Sequence, residues 1–284
     1  MIYLDNSSTT FKKPLKVKIA FLKAIFKFSV NPSRASYKKA LLGANEIFKT
    51  REKLSEYFNA KPENVIFTSG CPEALNLSIL GTAQKNGHII TTVYEHNSTL
   101  RPLEKIKTTH NISVTYLKPN KDGKISIKEI TQNIKENTYM IIINHTSNVT
   151  GSTQNIEAIG KIAKKHNLLF LVDAAQSAGH EKIDMEKCNI NLLTLAGHKG
   201  FYSAEGIGAL IINNAKVNPL ILGGTGTHSE SLKQPQDYPD GLESGTPNLP
   251  GILSLSAGLD FINKYQNKIN TKIKTLTSYL LYDQ

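Results

Sequence analysis

The chain has 284 residues, 39% of them hydrophobic, and a formal net charge of +11 at pH 7, a size that holds one large domain or one domain with a small appendage. No apolar run exceeds strand length, which excludes a spanning helix. The two cysteines, Cys71 and Cys188, give neither a disulfide framework nor metal-ligand spacing, so a soluble protein of a reducing compartment, the cytoplasm, is expected, with no metal and no membrane partner.

The lysines behind the charge are scattered along the whole chain and form no nucleic-acid motif. They read as solvated helix faces, able to attract an anionic cofactor or an acidic partner protein, and no nucleic-acid partner is expected. Residues 12–28 are basic, amphipathic and free of acids like a transit peptide, but the polar motif Asp5-Asn6-Ser7-Ser8-Thr9-Thr10 upstream argues against cleavage there.

Residues 4–10 read as a short strand running into that polar loop. Pro14 and apolar residues at 15, 19, 22 and 26 then predict a helix, broken at Asn31-Pro32-Ser33. A second amphipathic helix is predicted from Ser36 to Phe58 with Leu41, Ala44, Phe48, Leu54 and Phe58 on its apolar face, ended by Asn59 and Pro62. Residues 65–68 form a strand. Ser69-Gly70-Cys71-Pro72-Glu73 is a strand-to-helix turn whose free N–H groups and positive dipole end suit a phosphate. Strands follow at 88–93, 113–117 and 139–144, with helices from about 98 and from Ser126 to Ile134. His96 stands just past the first of these strands. Beyond a helix over 156–166 come strands at 168–172, 191–195 and 207–212, an irregular segment over 223–250, and one helical pattern from 252 to about 282. This alternation predicts an α/β fold with a mainly parallel sheet covered on both faces.

Two strand ends carry chemistry. Leu168-Leu169-Phe170-Leu171-Val172 leads straight into Asp173, and the strand at 191–195 ends in Ala196-Gly197-His198-Lys199. An aspartate after a strand is commonly a helix N-cap, and Gly-His-Lys alone is commonly a turn. A buried carboxylate needs a cation or donors opposite it, however, and a lysine past a strand's C-terminal end lies where open α/β sheets place ligands. Together they suit pyridoxal 5'-phosphate (PLP): the lysine forms the imine and the acid keeps the ring nitrogen protonated.

Seven segments in order extend the reading: Asp5-Asn6-Ser7-Ser8-Thr9-Thr10, Phe67-Thr68-Ser69-Gly70, Glu95-His96-Asn97-Ser98, Ser147-Asn148-Val149-Thr150-Gly151, Val172-Asp173-Ala174-Ala175-Gln176-Ser177, Gly197-His198-Lys199 and Glu243-Ser244-Gly245-Thr246-Pro247-Asn248. The set resembles the motifs of class V aminotransferase-fold enzymes, specifically the cysteine desulfurase and selenocysteine lyase group, over essentially the whole chain. The resemblance implies a three-layer, fold-type I PLP-dependent transferase large domain whose small domain is largely missing. Residues 1–14 would be an N-terminal segment packing with the small domain, 15–250 the PLP-binding large domain, and 251–284 a linking helix and the start of a truncated small domain.

The resemblance also implies roles. Lys199 would hold the cofactor and shuttle the substrate's α-proton, and His96 would stack on the ring as the second catalytic residue. Asp173 would pair with the ring nitrogen, Gln176 would bond the phenolic oxygen, and Asn148 would lie near that oxygen and the substrate carboxylate. His198 and the Gly70-Cys71 turn would hold the phosphate, with Thr246 reaching it from the other subunit of a homodimer. The implied reaction takes L-cysteine to L-alanine, passing sulfur to an enzyme or acceptor-protein thiol for iron-sulfur cluster or thio-cofactor assembly.

Departures from the family pattern qualify these expectations. Pro72 stands where a threonine is usual, Ala196 where a serine is common, and Tyr202-Ser203-Ala204 replaces a usual Tyr-Gly-Pro. At about 1 to 2 kcal/mol per missing charged hydrogen bond, two or three losses weaken phosphate anchoring tens- to thousands-fold. The family's nucleophilic cysteine and carboxylate-binding arginine belong to the C-terminal small domain, and neither Cys71 nor Cys188 matches the cysteine. The readings are therefore a truncated or split desulfurase, a catalytically incompetent PLP-binding or dimerisation module, or a different aminotransferase or lyase on the same fold.

Overall fold

Along the central strands, neighbouring side chains part to opposite faces. Ile141 and Ile143 join one apolar cluster, and Met140 and Ile142 join another. A strand buried on both faces must lie inside a sheet covered on both sides. The computed structural model, which describes residues 2–32, 37–226 and 230–282, contains that sheet. It has seven strands: β1 (Val65–Thr68), β2 (His88–Thr92), β3 (Ser113–Leu117), β4 (Thr138–Asn144), β5 (Leu169–Asp173), β6 (Leu192–Ala196) and β7 (Gly208–Ile212). Their order is β1-β7-β6-β5-β4-β2-β3, and only β7 runs antiparallel to its neighbours.

Helices α3 (Cys71–Gly81) and α4 (Asn97–Thr109) cover one face with Leu75, Ile79, Leu103 and Ile106. The other face packs against α2 (Lys38–Phe58), α5 (Ile127–Gln132), α6 (Ile156–Lys165) and the first half of α7 (Leu249–Tyr282). Helix α1 (Leu15–Lys27) lies against α7. The expected three-layer α/β architecture is therefore present. Register places Asn144 opposite Asp173, and Asp173 opposite Thr194, so the tips of β4, β5 and β6 form one row.

Several expectations require correction. Residues 4–10 form no strand: Asp5 to Ser8 make a turn closed by Ser8 N–H on the Asp5 carbonyl. The chain there lies over the strand tips, where Thr10 N–H bonds the His198 carbonyl at 3.1 Å. In α1 the apolar positions 15, 19, 22 and 26 are exposed, and Val17 and Ala24 are buried instead. Both stripes have helical spacing, but small Ala20 and Ala24 permit the closer approach to α7 that bulky Leu22 and Phe26 prevent.

The inward face of α2 is likewise turned, with Ile47, Leu54 and Phe58 buried and Leu41 and Phe48 exposed. The rotation follows Arg51, which is buried against the Val65 carbonyl and pairs with Glu243 through bonds of 2.9 and 2.6 Å. Strand β2 stops at Thr92, α5 at Gln132, and α7 begins at Leu249. Two predicted markers, Ser33 at the first break and Ser36 at the start of the second helix, lie outside the described residues.

Candidate active site

The strand tips frame a cavity of about 310 Å³. Asp173, Lys199, His96, Asn148, Gln176, His198 and Cys71 all line it, so residues spread over 129 positions meet in one place. Three backbone features make this possible. Asp173 ends β5, and the β6 strand passes into the turn Gly197 to Tyr202 that carries Lys199. Helix α3 starts at Cys71 with its N-terminus against the cavity. In the turn, a side chain on Gly200 would collide with the Ala178 carbonyl at 2.0 Å, so only glycine lets this turn seat against the β5 loop.

Asp173 is 2% exposed. Its Oδ1 accepts the Ala175 N–H at 2.9 Å and the Cys71 thiol at 3.5 Å. Its Oδ2 has no partner among the described residues. Burial raises this carboxyl above its ordinary value, opposed by the Ala175 and Cys71 hydrogen bonds and by the charges of Lys199 and His96. A cation brought to the open oxygen would replace the lost hydration.

Lys199 is half-buried and makes no salt bridge among the described residues. Its carbonyl is fixed by the Thr10 hydroxyl at 2.8 Å and by Tyr202 N–H at 3.0 Å. His96 caps α4: its Nδ1 accepts Ser98 N–H at 3.1 Å, which places the proton of the neutral ring on Nε2. His198 Nδ1 meets the Thr9 hydroxyl at 3.0 Å, and burial, then the nearby charges of Lys199 and Lys13, lowers its proton affinity. Gln176 donates from Nε2 to the Ser7 carbonyl at 2.9 Å, and Asn148 is exposed at the rim.

At the start of α3, the Cys71 and Glu73 amides have no intrahelical partner and Pro72 has none to offer, while Ala74 N–H returns to the Gly70 carbonyl. Gly70 itself has an extended backbone, φ 162°. The Cys71 side chain is buried. Its sulfur lies under Asp173 and 3.5 Å from the Thr194 hydroxyl, and burial, followed by the Asp173 charge, pushes the thiol well up.

Thr246 does not reach this cavity within the chain. It lines a second cavity of about 730 Å³ beside Arg51 and Glu243, and its hydroxyl accepts from Asn31 at 3.4 Å. Glu243 explains its own segment: besides Arg51, it accepts Phe67 N–H at 2.6 Å and so pins the 223–250 segment to β1.

Sequence reasoning assigned no role to Ser7 and Ser8, which wall the cavity, or to the Cys71 and Thr194 contacts beneath Asp173. The first signal was available in the polar run at 5–10. The second was not, since nothing in the spacing of residues 71, 173 and 194 announces that they touch.

A covered, mainly parallel sheet with an open lysine and a buried aspartate at its strand tips defines an α/β ligand-binding domain. The family model for aminotransferase class-V matches residues 2–283. The chain belongs to that family. A probable cysteine desulfurase of Borreliella burgdorferi is 35% identical over 93% of this chain and 65% of its own length. The cysteine desulfurase IscS of Clostridium botulinum is 32% identical over 99% of this chain and 68% of its own.

Among solved structures, an apo cysteine desulfurase from Thermococcus onnurineus superposes with a TM-score of 0.88 at 30% identity, covering 93% of this chain and 68% of that one. SspA in complex with cysteine gives 0.82 at 33% identity, covering 92% and 72%. The chain thus spans about two thirds of the length of the curated relatives it matches.

Proposed function

We propose that the cavity at Lys199 binds PLP and that the chain belongs to a desulfurase acting on L-cysteine. The observation that carries the reading is the open oxygen of Asp173, a buried carboxylate with one oxygen satisfied and the other facing a cavity that also holds an uncommitted lysine. These residues fit PLP, because a protonated ring nitrogen supplies the cation that Asp173 lacks, and the α3 amides and His198 suit its phosphate. Bound PLP would supply an electron sink that stabilises negative charge at the substrate α-carbon.

The chain's own groups divide the remaining work. Lys199 Nζ would hold the cofactor covalently and move the proton at the α-carbon. Asp173 holds the ring-nitrogen proton by its charge. His96 Nε2–H and Asn148 stand at the rim as donors, and the second N–H of Gln176 remains available to an oxygen. Ser7 to Thr10 lie across the Lys199 turn and shield it from water on that side.

Desulfuration breaks the carbon–sulfur bond of cysteine and forms a sulfur–sulfur bond to a thiolate, leaving alanine. Both Cys71 and Cys188 are buried, and burial raises both thiols, so neither is poised as that thiolate. The acceptor we infer is a thiol beyond these two, on an acceptor protein or a further segment, with iron-sulfur or thio-cofactor assembly as the destination. The relatives' names and the cysteine bound in SspA support L-cysteine as substrate. Two free buried thiols suit a cytoplasmic setting, and among the described residues no helix is long and apolar enough to cross a membrane.

We also propose a homodimer. Thr246 stands in a separate cavity, and Leu41, Leu42 and Phe48 on α2 are exposed, as are Leu220, Ile221 and Leu222 just before the 223–250 segment. In domain terms, we take 15–250 as the PLP-binding unit with the first half of α7 packed into it, 1–14 as a strap, and the remainder of α7 as the linking helix.

A second reading, a PLP-binding and dimerisation module without turnover, is favoured by one observation. Among the described residues no arginine lines the cavity, and Arg51 is committed to Glu243.

The test is direct. Purified protein given PLP should show a visible absorption band that Lys199→Ala abolishes, and light scattering should report a dimer. A colourless wild type would overturn the PLP reading. Alanine and sulfide formed from L-cysteine with a small-thiol acceptor would support the desulfurase. A coloured protein yielding neither would favour the module.

A further inference from the structure

Glu95 immediately precedes His96 in the turn between β2 and α4. It is 6% exposed. One of its oxygens, Oε1, accepts the Thr92 hydroxyl at 2.8 Å and the Asn144 N–H at 3.0 Å, so a single atom fastens the tip of β2 to the tip of β4. The other, Oε2, is wholly buried and has no partner among the described residues. No cation pairs with this carboxyl among the described residues. A charged carboxylate so placed would carry an uncompensated desolvation cost, whereas the protonated acid keeps both Oε1 contacts and carries no charge to bury.

The surrounding strand tips point the same way. Their ionisable groups are His96 on the same turn, His145 after β4, Asp173 ending β5, Cys71 opening α3, and His198 and Lys199 after β6. Among the described residues lining the cavity, Asp173 is the one acid. Burial raises Glu95 to about 8; the Asn144 and Thr92 bonds oppose it, and the like charge of Asp173 adds to it. Ionising both carboxyls would push Asp173 toward protonation and cost it the charge that a ring nitrogen needs.

We propose that Glu95 is a positioning residue of the cofactor site, locking the β2 and β4 tips that carry His96 and the Asn144 to Asn148 segment, and doing so as a neutral acid that leaves Asp173 the sole anion facing the cavity. The inference rests on the PLP reading. It assigns to the Glu-His pair a division of labour in which the histidine meets the ligand and the glutamate holds the frame.

Glutamine mimics a neutral glutamic acid, so Glu95→Gln should rescue what Glu95→Ala loses. PLP titrations followed by the visible band should give Glu95→Gln an affinity within about twofold of wild type near pH 7, and Glu95→Ala one weaker by about tenfold or more. Raising the pH through about 8 should weaken PLP binding by wild type and spare Glu95→Gln.

An arm without PLP reads the proton directly. The folded chain holds a proton that the unfolded chain, with its ordinary value of 4.5, releases. This group's contribution to stability therefore falls as pH rises from 4.5 to about 8, and Glu95→Gln should remove that slope from the thermal midpoint.

Glu95→Gln binding PLP as weakly as Glu95→Ala, or wild type and Glu95→Gln sharing one pH profile of unfolding, would overturn the inference while leaving the PLP reading intact. A wild type with no band at any pH would overturn the PLP reading and the cofactor role together. The unfolding profile would still separate the two failures.

Discussion

At Asp173 the difference between a structural and a functional aspartate lies in a single oxygen. Oδ1 is taken by Ala175 and Cys71, as in an ordinary cap, while Oδ2 is left open in a buried setting. Such a group costs stability in the free protein and gains its partner with the ligand. Asp173→Asn should therefore leave the PLP-free protein at least as resistant to heat as wild type and weaken PLP binding by about tenfold or more, consistent with loss of a charged hydrogen bond. Thermal melts beside PLP titrations check both halves. A large drop in the melting temperature would make Asp173 a structural cap.

The turn after β6 is where elements set the site. Phe201, fully buried, meets Tyr57 and Phe58 of α2 edge-on at centroid distances of 5.6 and 6.1 Å. Tyr202 takes a left-handed φ of 56° and rests on Phe261 of α7. A bulky residue held there stores strain that the flanking contacts must outweigh. Phe201→Ala should cost about 3 to 5 kcal/mol by denaturant titration and should weaken PLP binding as well, because the cavity it leaves lies under the Lys199 turn.

The seating of α1 offers a second comparison at this scale. Ala24 is 1% exposed against α7 while Phe26 is 81% exposed. Ala24→Leu should destabilise by about 1 to 3 kcal/mol through overpacking, and Phe26→Ser should change stability by less than about 0.5 kcal/mol. The reverse order would mean that the predicted 15, 19, 22, 26 stripe packs inward after all.

For the whole molecule, buried groups with displaced proton affinities bound the pH range of stability. His88, between the hydroxyls of Thr115 and Thr138, is lowered to about 4, first by burial and then by Lys135. His145, on the Ser177 hydroxyl, is lowered to about 4, first by burial and then by Lys124. The unfolded chain takes up protons on these rings below 6.5 before the folded chain does, so they cost stability as pH falls from 6.5 to about 4. Glu95 works in the opposite sense, losing stability as pH rises from 4.5 to about 8. Below 6.5 the lowered rings, which include His180 and His198, outnumber the raised carboxyls of Glu95 and Asp173, and above it Glu95 governs. The thermal midpoint should therefore peak near pH 6.5 and decline on both sides, and His145→Gln should flatten the acidic side.

Much of this was legible in the sequence because it depends on local pattern. The strand-helix alternation, the both-faces-buried strands and the positions of Asp173 and Lys199 at strand ends follow from apolar runs and from the residues that stop them. The seven ordered motifs identified the family, since co-linear matches over a whole chain are far more specific than any single turn. What the sequence left undecided are choices between equivalent local patterns. Two stripes of α1 have helical spacing, and only the fit of Ala20 and Ala24 against α7 selects one. The rotation of α2 follows an ion pair from Arg51 to Glu243, 192 positions away.

Contacts such as Cys71 with Asp173, or Glu95 with Asn144, join residues 102 and 49 positions apart, and no periodicity encodes them. Local pattern determined which residues could serve a ligand. Tertiary packing decided which of their atoms are satisfied and which remain open, because burial and partnership depend on chain segments that meet only when the sheet closes its row of strand tips.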